Sequence, residues 1–89
     1  RRSGALTREQ AAAVIMRWAA GQGEDVSARA DLAAFPDAGE VSPWADDAVS
    51  WAVAAGVLEG VEQPDGQRVL NAQDAVTRAE MAALLMRLM

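Results

Sequence analysis

The sequence predicts an all-α fold: three main helices joined by long ordered loops. Three observations carry that reading. Apolar residues recur at helical spacing in three segments, each opened by helix-capping residues, and no extended run is long enough to build a sheet. The third observation is an internal repeat, set off by 70 residues, from Thr7 to Thr77. Leu6 to Ala19 aligns without a gap on Val76 to Met89. Thr, Arg, Ala, Ala, Met and Arg recur at the same offsets, and the apolar sets Ala11, Val14, Ile15, Trp18 and Met81, Leu84, Leu85, Leu88 coincide.

The first helix is expected from Arg8 to Ala20. Thr7 is its N-cap, and Gln10 stands where its side chain reaches back to close a capping box. Gly21 and Gly23 stop it. The second helix opens at Ser42-Pro43, an N-cap followed by proline, with Asp46 and Asp47 near the positive helix terminus. Trp44, Ala48, Trp51, Ala52 and Ala55 follow one face, and Gly56 ends the helix in a left-handed cap. The third helix repeats the first, with Thr77 and Glu80 as its box. Of the connections, residues 21–41 read as ordered loop with a short helical turn at Asp31 to Ala34. Gly60 and Pro64-Asp65-Gly66 mark turns before a short extended piece at Arg68-Val69-Leu70.

Eighty-nine residues allow one small domain at most. About a quarter of them are alanine, which favours helix but buries little surface, so the core leans on the tryptophans, Phe35 and the larger aliphatic residues. The net charge of −5 argues against nucleic acid and against anionic membrane surfaces, and the apolar stretches are too short for membrane insertion. The chain begins with Arg1, as a piece of a longer protein would. It has neither cysteine nor histidine, so thiol or imidazole catalysis and zinc sites built on those ligands are excluded. No catalytic residue, metal ligand or cofactor is expected. Asp46 and Asp47 diverge on the helix and serve its dipole.

The functional clue is Arg8 and its counterpart Arg78. Each sits at the first position of a helix, where positive charge is unfavourable by ~0.3–1 kcal/mol. Such a residue calls for a partner: a carboxylate of the protein, or an external anion bound jointly with the exposed N–H groups of the helix end. Arg17 and Arg87 lie near helix C-termini, where positive charge is favourable, and stay outside the expected site. Trp44 has two readings, packing under the preceding loop or lining a groove against which a sugar ring stacks.

Phe35-Pro-Asp37, Ser42-Pro-Trp44-Ala45, Asp47-Ala-Val49, Ala55-Gly-Val-Leu-Glu-Gly60, Asp65-Gly66 and Val76-Thr-Arg-Ala-Glu80 follow one another in an order that resembles one complete S-layer homology repeat. The resemblance divides the chain into residues 1–20, the closing helix of a preceding repeat; residues 21–34, a connecting loop; and residues 35–89, the complete repeat. It implies a non-catalytic module at the bacterial cell wall or surface layer, whose partners are an acidic, pyruvylated cell-wall polysaccharide and neighbouring repeats or copies of itself. The groove between repeats would combine Arg8 with Asp37, Trp44 and the turn at Gly60, while Arg78 would form half of a second groove awaiting a further repeat. Without glycan binding, the same resemblance implies a structural or protein-interaction module. Two departures stand out: Thr-Arg-Glu-Gln at residues 7–10 in place of Thr-Arg-Ala-Glu, and Ala72 where many relatives carry proline.

Overall fold

The computed structural model describes residues 6–88, with side chains to residue 87. The expectations for residues 1–5, for Met89 and for the Leu88 side chain lie outside the described residues. Three helices frame the molecule: α1 (Arg8–Gly21), α2 (Asp46–Ala54) and α3 (Arg78–Leu88). The all-α expectation fails, because two antiparallel strand pairs hold these helices in place. β1 (Leu6–Thr7) pairs with β4 (Ala75–Val76), Leu6 opposite Val76, and β2 (Val61–Glu62) pairs with β3 (Arg68–Val69). The fold is mixed α and β. Each strand has only two residues, so no alternating pattern exists to announce it, and the pairing follows from where the helices bring the chain.

The β1–β4 pair joins the two copies of the repeat at matching positions, immediately before α1 and α3. Both capping boxes form beside it. Gln10 N donates to Thr7 Oγ1 at 3.2 Å while Thr7 N donates to Gln10 Oε1 at 2.9 Å, and Thr77 with Glu80 repeats the exchange at 3.0 and 2.7 Å. The β2–β3 hairpin turns at Asp65-Gly66, where Gly66 takes the left-handed φ of 87° that glycine adopts without strain. Asp65 accepts from Gln67 N across the turn.

Between α1 and α2 the chain passes through three 3₁₀ turns, Leu32–Ala34, Ala38–Glu40 and Pro43–Ala45. Ser42, expected to cap α2, makes no capping bond. Its hydroxyl instead donates to Glu9 Oε2 at 2.7 Å, and its amide donates to Glu9 Oε1 at 2.9 Å. Glu9 is only 3 % exposed, so a buried carboxylate on α1 stitches the first helix to the start of the second. This glutamate occupies the position of Ala79 in the other copy, which gives the Thr-Arg-Glu-Gln departure a structural purpose.

The core lies where α1 crosses α2. Ala11, Ala12, Ile15 and Ala19 pack against Val49, Trp51 and Ala52, and the small alanines let the two helices approach closely. Val57, Leu58 and Leu70 extend this core toward the hairpin, and Leu84 ties α3 to it. Gly56, with φ 78°, turns the chain out of α2 as the sequence predicts.

Candidate functional site

Arg8 leaves the first turn of α1 and folds its guanidinium onto the main chain. Its Nε donates to Leu70 O at 2.9 Å and its Nη2 to Glu59 O at 3.2 Å. Neither acceptor is an acid, so the positive charge is oriented without being neutralised by an ion pair among the described residues. Around it opens a cavity of about 200 Å³, lined by Arg8, Glu59, Gly60, Glu80, Leu84 and Arg87 among others. The N-terminus of α1 contacts the loop before β4, the hairpin base supplies Glu59 and Gly60, and one face of α3 supplies the rest.

Gly60 belongs there for a steric reason. A Cβ on it would stand 2.8 Å from Arg68 Cβ, 3.0 Å from Phe35 Cε1 and 3.4 Å from Val69 O. Only glycine lets the hairpin close over Phe35 beside the cavity.

The helix-end amides play a different part from the expected one. Arg8 N donates to Asp74 O at 2.8 Å, Glu9 N to Ala72 O at 3.0 Å, and Gln10 N is taken by the capping box. With those donors occupied, an anion in this cavity meets guanidinium groups rather than the terminal amides of α1.

Of the residues expected to share one groove, Arg8 and Gly60 come together. Asp37 turns inward: its Oδ1 accepts from Leu70 N and its Oδ2 from Asn71 N, both at 2.9 Å, bracing a loop in which Asn71 holds φ 51°. It therefore supports the segment whose Leu70 carbonyl orients Arg8. Trp44 is 61 % exposed, which rules out the packed reading, and it lines a separate surface groove with Arg17, Arg29 and Asp47. Arg29 lies 3.8 Å from Asp47 there. Arg78 lines a third, smaller hollow with Leu6, Val76 and Met81.

Arg87 is the residue that sequence reasoning set aside and the structure brings in. Its Nη1 donates to Val57 O at 3.2 Å, and it stands on the same wall as Glu80 and Leu84. The available signal was spacing: Glu80, Ala83, Leu84 and Arg87 fall on one helical face.

The profile of the S-layer homology domain family matches residues 34–82, more than half of the chain. The chain belongs to this S-layer homology family. Over 82 residues, 92% of its length, this S-layer homology module is 37% identical to the surface-layer 125 kDa protein of Lysinibacillus sphaericus. It spans only 6% of that relative's length. No solved structure matches the S-layer homology chain. Among the described residues no helix is long and apolar enough to cross a membrane, and no cluster of acidic side chains is arranged to hold a metal ion.

Proposed function

We propose that this S-layer homology module is a non-catalytic anchor that fastens a larger protein to the bacterial cell wall by binding an acidic, pyruvylated wall polysaccharide. The family and the surface-layer relative support a cell-surface, wall-anchoring role. The finer assignment to a carboxylate-bearing sugar is carried by one observation: Arg8 is braced by two carbonyls, without a carboxylate partner among the described residues, beside an open cavity. The carbonyls hold Nε and Nη2 and leave Nη1, without a hydrogen bond among the described residues, to a ligand carboxylate. Bracing it before the ligand arrives reduces the ordering cost of binding.

In this reading Asp37 acts through the loop that positions Arg8, Gly60 lets the hairpin close over Phe35 at the cavity edge, and Trp44 offers a stacking face to sugars outside the carboxylate pocket. Arg78 is half of a second groove, completed by a neighbouring repeat. Calorimetric titration with the pyruvylated glycan and with its unmodified form tests the assignment. Binding confined to the pyruvylated form, and lost by roughly tenfold or more in Arg8→Ala, is the expected result. Equal affinity for both forms, or none for either, overturns it.

One observation favours a second reading, a module that associates with copies of itself or with other repeats. Val14, Ile15, Trp18, Met81 and Leu85 line an apolar cleft of about 260 Å³ between α1 and α3, and Trp18 remains 42 % exposed.

A further inference from the structure

We infer that Arg87 is the second anion-contacting residue of the Arg8 cavity, and that the cavity is charge-balanced so as to select a single carboxylate over a more highly charged group. The inference rests on the glycan-binding reading and deepens it. Four ionisable side chains line the cavity, Arg8 and Arg87 against Glu59 and Glu80. Their formal charges cancel.

The two arginines are built alike although they come from different elements. Each is pinned to a main-chain carbonyl by part of its guanidinium, Arg8 through Nε and Nη2 and Arg87 through Nη1. That leaves Arg8 Nη1 and Arg87 Nε and Nη2 without hydrogen bonds among the described residues, donors of the flat forks that grip carboxylates. A volume of about 200 Å³ admits little more than one sugar unit, and both arginines line the space that its carboxylate would enter.

The glutamates set the selectivity. Glu80 keeps its place through the capping bond from Thr77 N and so adds a fixed negative group at the wall. A ligand with one negative charge and several hydroxyls satisfies both signs: the acid takes the guanidinium groups and the hydroxyls donate to the carboxylates. A phosphomonoester, carrying about −1.5 to −2 charges at neutral pH, loses more hydration and finds no net positive field to replace it.

The test titrates the wild-type chain, Arg8→Ala, Arg87→Ala, Arg87→Gln and Glu59→Gln with a sugar in three forms: the pyruvate ketal as free acid, its methyl ester, and the phosphomonoester. Wild type is expected to prefer the free acid. Both Arg87 variants should weaken free-acid binding by about tenfold and leave ester binding unchanged, and Glu59→Gln should narrow the preference over the phosphomonoester. Arg87→Gln retains a donor for Val57 O, and thermal unfolding of each variant separates loss of fold from loss of contact. Free-acid binding lost in Arg8→Ala but intact in both Arg87 variants overturns the role of Arg87 while leaving the anchoring assignment standing. An unchanged preference in Glu59→Gln overturns the charge-balance argument. Failure of the wild type to bind the free acid removes the underlying reading itself.

Discussion

Two backbone amides, those of Leu70 and Asn71, converge on the carboxylate of Asp37, and this small convergence sets the height of the carbonyl that steers Arg8. Replacing Asp37 by alanine leaves both amides without their acceptor, at about 1–3 kcal/mol each, a large fraction of the stability of so small a domain. Urea unfolding should show that loss, with Asp37→Asn keeping part of it because one acceptor oxygen remains. Residue chemistry was legible in the sequence wherever a residue broke a local rule. Arg8 drew notice by standing at the wrong end of a helix dipole, whereas Arg87 obeys the dipole and so gave no sign of its place in the cavity wall. Asp37 was marked as a site residue, but which way its carboxylate points is decided by a loop more than 30 positions further along the chain. Trp44 shows the same limit: its exposure is plain only once the neighbouring loop has taken its course.

At the scale of elements, caps and glycines carried most of the information. Thr7, Thr77, Gly56 and Gly66 each occupy the place that local stereochemistry assigns them, and the helices α1 and α3 follow the repeat closely. Of the four strands only β3 was announced, by the short extended piece at Arg68-Val69-Leu70; the pairings themselves were invisible because two-residue ladders are consequences of tertiary placement, with no periodicity of their own. The hairpin they include is the element most sensitive to a single methyl group. Gly60→Ala should destabilise the protein by ~1–3 kcal/mol through overpacking against Phe35 and Arg68. Near-ultraviolet circular dichroism and thermal unfolding check this, and a wild-type melting curve for the variant would show that the hairpin can shift without strain. Ser42 illustrates the pull of another element: a good capping residue makes no cap bond, and its hydroxyl is turned to donate to a buried carboxylate on another helix.

At the scale of the whole molecule, the apolar cleft between α1 and α3 is the feature that separates the two functional readings. Where that cleft recruits another copy, light scattering should report a mass that rises with concentration, and Trp18→Ser should return it to the monomer value. A monomeric mass across the concentration range would leave glycan recognition as the role for this surface module. The architecture as a whole was half readable in advance. Helix number and the starts of α1 and α3 follow from the amino acids in each segment. By contrast, α2 begins at Asp46, after a 3₁₀ turn at Pro43–Ala45 where the sequence predicts its first residues, and the union of the two repeat copies depends on residues separated by most of the chain.

That union has a mechanical corollary. Leu6, where β1 starts, lies opposite Val76, where β4 ends, so tension applied upstream of β1 and along α3 pulls on the same end of the ladder. An antiparallel pair loaded in this way peels open one rung at a time instead of shearing, and it resists weakly. The load then falls on what lies behind the ladder: the bonds from the Arg8 and Glu9 amides to the Asp74 and Ala72 carbonyls, Arg8's grip on the Leu70 and Glu59 carbonyls, the Glu9 stitch to Ser42, and the core beneath them.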